Sequence, residues 1–509
     1  MNRKRILLVT INSDDYFPVQ LALYYLKSYL QKTSISNLSS VGIDIFTYDE
    51  KLDVIVKRIL DKQPEIIGFS CYVWNIEKIL EAAHLLKDRD HSLKIILGGP
   101  EVSPWSRSKE LLEQEKSIDI IVRGEGEETF AELTESLFYQ KIELSAIKGI
   151  SYRTESSICI NPARPLMDEL DRIPSPYLEG LIDIKKEGTV PIETMRGCAY
   201  RCHYCYYHKD FKGLRYFSLD RVESEFKFIL EKEPYEVYIM DPTFNADYRR
   251  AKEILRIFIR HSKGSKLHVE LRAESLDKEM VELLYEANTG FIEIGIQSVN
   301  TKALKLVNRT LVKKMFKKNI SLLNKKKIFY QIQLIDGLPG HSYADIKKSL
   351  DWLYSLHPSQ VRIMKLMVLH GTYLRQNAKT LGIKFDSMPP YFVYKTETMT
   401  YKDLKRITKL RQAMKILYDR GLLRLSMYVL KKKLKINFSD IFEGWIKWKI
   451  NNELSEEMIA NDMPRFVRYL CNRYKNPYIY KKHIYPVLRN DLANFYSMRE
   501  LERRAAVNN

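Results

Sequence analysis

A chain of 509 residues is longer than one ordinary hydrophobic core serves, so about three domains are expected. With 45% hydrophobic and 29% charged residues it can fill those cores, which excludes global disorder. No apolar run approaches the roughly 20 residues of a membrane span and the N-terminus turns polar too soon for a signal peptide, so a cytoplasmic protein with no membrane partner is expected.

In chain order, short apolar strands alternate with amphipathic helices: Ile6–Val9, a helix over Leu21–Leu30, Ile43–Tyr48, then a helix over Leu52–Leu60. The beat continues through Ile66–Phe69, Ile76–Leu86, Lys94–Leu97, Ser108–Glu113, Ile118–Val122 and Glu127–Leu137. This spacing predicts an α/β fold with a doubly wound parallel sheet over residues 1–145. Ligands of such sheets bind where strands end, and those ends carry Ser70-Cys71-Tyr72, Gly98-Gly99-Pro100-Glu101 and Gly124-Glu125-Gly126-Glu127.

Residues 146–190, with Pro162, Pro165, Pro174 and Pro176, read as a linker. A second series over 191–385 places strands at Pro191–Met195, Glu236–Met240, Leu267–Leu271, Phe291–Ile296, Tyr330–Ile335 and Val361–Leu366. Six strands with intervening helices make a partial (β/α)6 barrel, short of the eight a closed barrel needs. Residues 386–509 are expected to be mainly helical and rich in Lys, Arg, Trp and Tyr.

The net charge of +19 attracts acidic partners without naming one, and the runs Lys325–Lys327 and Lys431–Lys433 read as solvated faces. Trp445, Trp448, Tyr469, Tyr474, Tyr478 and Tyr480 stand at spacings that suit a helical core, with a contact surface as the alternative.

Of six cysteines, Cys71, Cys159 and Cys471 are scattered, while Cys198, Cys202 and Cys205 form Cys-x-x-x-Cys-x-x-Cys just after the first barrel strand. Three thiolates on one loop bind three irons of a four-iron cluster and leave the fourth open to an external ligand. A zinc site is the alternative, with His203 or His208 as fourth ligand, although the spacing follows neither common paired zinc pattern. At the ends of later strands stand further polar candidates: Asp241, Glu270 with Arg272 on one side of a strand, and Gln297-Ser298 after Gly295.

These motifs resemble the radical S-adenosylmethionine superfamily over Pro191 to Leu369, with Tyr204 as the aromatic before the last cysteine. The resemblance implies a [4Fe–4S] cluster on Cys198, Cys202 and Cys205, with S-adenosylmethionine chelated at the open iron and cleaved reductively to a 5′-deoxyadenosyl radical. It further implies adenine against Tyr204, the methionyl amino group on Asp241, and cofactor or substrate contacts at Glu270, Arg272, Gln297 and Ser298. Gln297 departs from the family's acidic residue, which puts the ribose contact in doubt. An external electron donor of flavodoxin or ferredoxin type is implied as well.

The preceding domain, over Arg5 to Leu137, resembles that of the cobalamin-dependent members. Ser70, Tyr72, Trp74, Gly98, Gly99, Glu101 and Gly124 are then candidates to hold cobalamin, with Tyr72 and Trp74 covering its lower face. Asp-x-His-x-x-Gly is absent and the first histidine, His84, sits in a predicted helix, so no protein imidazole is expected on cobalt. The function implied is methyl transfer from methylcobalamin to an unactivated carbon of a small-molecule or peptide substrate. A radical oxidation, cyclisation or ring contraction without methyl transfer is the alternative. Methylthiotransferases would need three further cysteines in the first domain, which offers only Cys71.

Overall fold

The computed structural model describes residues 4–13, 19–37, 39–139, 142–207, 213–451 and 459–507. The first series forms β1 (Lys4–Asn12), α1 (Leu21–Gln31), β2 (Ser39–Thr47), α2 (Leu52–Asp61), β3 (Ile66–Ser70), α3 (Ile76–Arg89), β4 (Lys94–Gly98), α4 (Trp105–Gln114), β5 (Ile120–Val122) and α5 (Glu127–Tyr139). Two short antiparallel strands, β6 (Ile150–Arg153) and β7 (Ile158–Ile160), extend the sheet to the order β2-β1-β3-β4-β5-β6-β7. They fall within the stretch expected as linker, where runs of four and three residues offer too little alternation to read.

Alternation along the strands dictates the two faces. Leu7, Val9, Ile11, Ile67, Phe69, Ile95, Leu97 and Ile121 bury one face against Ile55 and Ile59 of α2, Ile79 and Leu86 of α3, and Leu111 of α4. Ile6, Leu8, Ile66, Ile96, Ile120 and Val122 bury the other against Leu23 and Leu30 of α1 and Phe130 and Leu133 of α5. The sheet is therefore doubly wound as expected, and its order reverses between β1 and β3, which places a crevice beyond the ends of those strands.

The second series runs β8 (Thr189–Ile192), a small antiparallel ribbon of β9 (Met195–Arg196) with β10 (Arg215–Tyr216), α6 (Leu219–Glu231), β11 (Glu236–Ile239), α7 (Tyr248–His261), β12 (Lys266–Leu271), α8 (Lys278–Glu286) and β13 (Thr289–Gln297). It continues through α9 (Thr301–Leu306), α10 (Lys313–Lys326), β14 (Tyr330–Asp336), α11 (Tyr343–Tyr354) and β15 (Gln360–Lys365). The six long strands lie in chain order, β8-β11-β12-β13-β14-β15, as a partial (β/α) barrel requires. Helix starts are marked by side-chain caps: Ser218, Asp247, Asp277 and Ser342 each accept from a backbone N–H of the first turn.

Contacts divide the chain within β13: one unit holds 1–292, 367–380 and 385–392, the other 293–366, 381–384 and 393–509. In the first unit a short helix, α12 (Tyr373–Gln376), follows the last barrel strand. In the second, α13 (Tyr401–Met414), α14 (Ser426–Leu434), α15 (Phe438–Asn451), α16 (Ile459–Arg473) and α17 (Tyr485–Val507) form the helical C-terminal region. Trp445 and Trp448 are buried there, packed on Phe466, whereas Tyr478 is 90% exposed. Among the described residues no helix is long and apolar enough to cross a membrane.

Candidate functional site

The cysteine loop leaves the barrel through a fixed doorway. Thr194 and Met195 donate their backbone N–H groups to Oδ1 of Asp241 at 2.8 and 3.2 Å, and the Thr194 hydroxyl donates to Oδ2 at 2.5 Å. Both oxygens of this 1%-exposed carboxylate are thus committed to the segment that leads into Cys198. Burial raises the Asp241 carboxyl to about 7 against the pull of those donors. Gly197 takes φ +93°, a turn that an L side chain resists, and the chain then enters the motif.

Within the loop the Cys205 N–H donates to the Cys202 carbonyl at 3.1 Å. Burial pushes the Cys205 thiol up to about 12, and Cys202, Cys198 and Glu270 add to the rise. With Cys202 buried and Cys198 and Cys205 partly buried, the three sulfurs of this loop are a donor set fitted to a cationic cluster, whose charge stabilises thiolates. Among the described residues no group of three His, Cys, Asp or Glu side chains is arranged to hold a single metal ion. His203 stacks its ring on Tyr373 at 4.0 Å, and His208 lies outside the described residues.

Along β12, Glu270 accepts from the Tyr238 hydroxyl at 2.8 Å. Arg272 pairs with Glu274 at 3.2 Å, and its guanidinium lies 4.3 Å from the ring centre of Tyr200 in the cysteine loop. Glu270 thus stands on β12 and Arg272 directly follows it. Tyr204 is half-buried in the same loop.

In the second unit Gln297 ends β13 at φ +70°, folded back over Gly295, where a Cβ would stand 2.5 Å from its Nε2. Its buried Oε1 has no hydrogen-bond partner, an unsatisfied acceptor fitted to a ligand hydroxyl. Next to it Ser298 lies 3.0 Å from Nε2 of His341, a buried imidazole that desolvation lowers to about 4.

At the sheet's crevice, Asn75 donates to the carbonyls of Ile11 and Ser70, both at 3.1 Å, and accepts the Tyr72 N–H at 2.7 Å, so one side chain ties the ends of β1 and β3. Beyond it Tyr72 and Trp74 stack at 4.5 Å with Trp74 47% exposed, a flat apolar face at a strand end. Gly98 ends β4, and Gly99 takes φ +104°, where a Cβ would stand 2.6 Å from the Cys71 carbonyl oxygen. Gly124, at φ +76°, has nothing within 4 Å of the place a Cβ would fill, and its N–H is held by Ser103 at 3.1 Å. An exposed aromatic face, with open glycine backbone at another strand end of the same sheet, suits a large planar group.

The Glu101 side chain has protein partners of its own. Its buried carboxylate accepts from the Tyr391 hydroxyl at 2.5 Å and pairs with Arg107 at 3.3 Å, while burial raises its carboxyl despite them. His84 is exposed on α3, paired with Glu115 at 2.7 Å.

Sequence reasoning missed the residues that join the two loops. Arg196, two positions before Cys198, reaches Glu125 at 3.1 Å, Glu127 at 2.7 Å and Glu193 at 3.0 Å, and Arg215 holds both oxygens of Glu125 at 2.6 and 3.0 Å. Burial would raise the Glu125 carboxyl, but Arg215 and Arg196 hold it below the usual range. The available signal was charge embedded among the glycines of Gly124-Glu125-Gly126-Glu127 and Arg196-Gly197.

The B12-binding domain model matches residues 8–134 and the radical SAM superfamily model residues 192–353. The chain is 25% identical over 338 residues to the cobalamin-dependent radical SAM methyltransferase TokK of Streptomyces tokunonensis, covering 62% of this chain and 49% of that one. It is 22% identical over 347 residues to the anaerobic magnesium-protoporphyrin IX monomethyl ester cyclase of Rubrivivax gelatinosus, covering 64% and 61%. The solved structure of the cobalamin-dependent S-adenosylmethionine radical enzyme OxsB, with aqua-cobalamin and S-adenosylmethionine bound, superposes with a TM-score of 0.66 at 20% identity, covering 99% of this chain and 80% of that one. The chain spans about half the length of the methyltransferase it matches.

Proposed function

We propose that this chain, which joins a B12-binding domain to a radical SAM domain, is a methyltransferase that acts on an unactivated carbon. The observation that carries the reading is the buried lock of Arg196 between Glu125 and Glu127, which ties the loop of the three cysteines to a strand-end loop of the B12-binding domain. Two cofactors that must serve one substrate need their loops held together, and buried ion pairs of this kind fix geometry better than they add stability.

When bound, the cluster with S-adenosylmethionine supplies a 5′-deoxyadenosyl radical and cobalamin supplies the methyl group. Cys198, Cys202 and Cys205 would hold the cluster, and Asp241 fixes the segment that presents them. Tyr204 would lie against adenine, while Gln297, with its unsatisfied Oε1, and Ser298 would receive the nucleoside. Glu270 and Arg272 would face S-adenosylmethionine or substrate from β12. Tyr72 and Trp74 would cover one face of cobalamin without a cobalt-ligating imidazole, and Ser70, Gly98, Gly99 and Gly124 would admit its edge.

The electron would come from a flavodoxin- or ferredoxin-type donor in the cytoplasm, and the substrate is a small molecule or peptide. A second reading, radical oxidation or cyclisation without methyl transfer, draws support from the likeness to the cyclase. Anaerobic turnover separates them: methyl transfer couples S-adenosylhomocysteine to 5′-deoxyadenosine, whereas the second reading yields 5′-deoxyadenosine alone.

A further inference from the structure

The first unit contains a segment, residues 367–376, that follows the last barrel strand and has no part in the roles assigned above. It touches the cysteine loop at three points. The Leu374 N–H donates to the His203 carbonyl at 3.1 Å, Tyr373 stacks on His203 at 4.0 Å, and Gly371 lies against the ring of Tyr206, the residue after Cys205. At Gly371 the backbone takes φ +74°, and a Cβ would stand 2.6 Å from Cε2 of Tyr206 and 3.0 Å from Cγ of Pro104. Pro104 belongs to the loop after β4, so one glycine is pressed between the cysteine loop and the B12-binding domain.

The same segment holds that loop a second way. Arg375 donates to Nε2 of His370 at 3.0 Å and to the Val368 carbonyl at 2.9 Å, and its guanidinium covers the Tyr391 ring at 4.7 Å. Tyr391 in turn donates to Glu101 at 2.5 Å, and the Glu101 N–H reaches the Cys71 carbonyl at 3.3 Å, next to Tyr72. Contacts thus run without a break from Cys205 to the ends of β3 and β4, with His370, Tyr391, Glu101 and Cys71 buried along the way.

We propose that residues 367–376 form a positioning strap, with Gly371 as its contact point, that sets the spacing between the cysteine loop and the strand-end loops of the B12-binding domain. A methyl group at Gly371 adds left-handed backbone strain and drives into Tyr206 and Pro104 together, so both loops must shift. The strap concerns the protein's own geometry; only the identity of what the loops hold rests on the proposed function.

Amide hydrogen exchange of the full chain, before and after anaerobic reconstitution with iron, sulfide and hydroxocobalamin, tests it. Gly371→Ala should raise exchange about tenfold in peptides spanning 198–207 and 98–104 while those covering α7 and α10 keep wild-type rates. Tyr391→Phe, which removes one hydroxyl and no bulk, should raise exchange in 98–104 alone. In the double variant Gly371→Ala/Tyr206→Ala the effect should fall below the sum of the single ones, because the ring that clashes is gone. Faster exchange confined to 367–376, or a uniform rise across the chain, would overturn the strap. Wild-type protein that takes up no cobalamin would refute the proposed function and leave this result to be read from the cofactor-free protein.

Discussion

Arg196 and Glu127 meet at 2.7 Å with both side chains more than nine-tenths buried, and they join the loop before Cys198 to the loop after β5. Glu125 completes the site by holding Arg196 and Arg215 together. A buried ion pair contributes little net stability, but removing one partner strands the rest. Glu125→Ala leaves two arginines short of a counter-charge, so it should cost about 3–5 kcal/mol in urea unfolding. Arg196→Lys keeps the charge but not the fork that reaches three carboxylates, and should cost less. Wild-type stability in Arg196→Lys would show that charge alone, and not the three-way geometry, matters.

In the proposed site Cys198, Cys202 and Cys205 would each supply one thiolate. Any single change to Ala should therefore lower bound iron from about four per chain to a small residue after anaerobic reconstitution, with loss of the brown colour. The same change at Cys471, buried in α16, should leave iron content unaltered. A full complement of iron in a Cys202→Ala protein would remove that residue from the ligand set.

The Asp241 carboxyl lies near 7 in the folded protein against an ordinary value of 3.8, because burial disfavours its charge. Since the folded value is the higher one, its contribution to stability is complete below about pH 4 and is lost as pH rises through 7. Asp241→Asn presents an oxygen to the Thr194 and Met195 N–H groups and an NH2 to the Thr194 hydroxyl, without a charge. The variant should match wild type near pH 5 and exceed it by about 2–4 kcal/mol near pH 9 in chemical denaturation. A constant difference across that range would mean that Asp241 does not titrate.

At Gly99 a Cβ would meet the backbone of Cys71 at 2.6 Å, so Gly99→Ala must displace the end of β3 or the loop after β4. Hydroxocobalamin titration followed by absorbance should show at least about tenfold weaker binding, since left-handed strain alone costs 1–2 kcal/mol for a residue with a side chain. Gly124→Ala meets no protein atom and should weaken binding only through strain and by filling space the ligand needs. Binding unchanged in both variants would take these glycines out of the cobalamin site. Electron paramagnetic resonance of the cob(II)alamin form should lack nitrogen splitting from a protein ligand, as expected with His84 paired to Glu115 on the surface.

Local patterns carried most of the fold and brought out the cysteine motif. Leu7, Val9 and Ile11 alternate along one strand, and Cys198 to Cys205 lie within eight residues, so neighbours in sequence reveal neighbours in space. What stayed hidden depends on distant partners. Glu101 occupies a strand-end loop and reads as a ligand contact, yet Tyr391, 290 residues away, takes its carboxylate. Asp241 reads as a contact for an amino group, yet both oxygens turn to Thr194 and Met195, 47 and 46 residues back. Polar residues at strand ends look alike in sequence whether they face a ligand or lock two loops, and only the identity of the partner separates the roles.

Methyl transfer and its rival differ in stoichiometry. A methyl group and a 5′-deoxyadenosyl radical each consume one S-adenosylmethionine, so turnover with substrate should release S-adenosylhomocysteine and 5′-deoxyadenosine in equal amounts. With a deuterated methyl donor the label should pass into a product one methyl heavier in place of hydrogen. Trp74→Ala, which removes the exposed half of the stacked pair at the β3 end, should depress S-adenosylhomocysteine formation while 5′-deoxyadenosine persists. Gln297→Ala, at the unsatisfied acceptor in the second unit, should instead raise the KM for S-adenosylmethionine by about five- to thirtyfold in both products, the cost of one lost hydrogen bond of 1–2 kcal/mol. Substrate-dependent 5′-deoxyadenosine without labelled product would discard methyl transfer in favour of radical oxidation or cyclisation, while leaving the cysteine ligands and both domains as described.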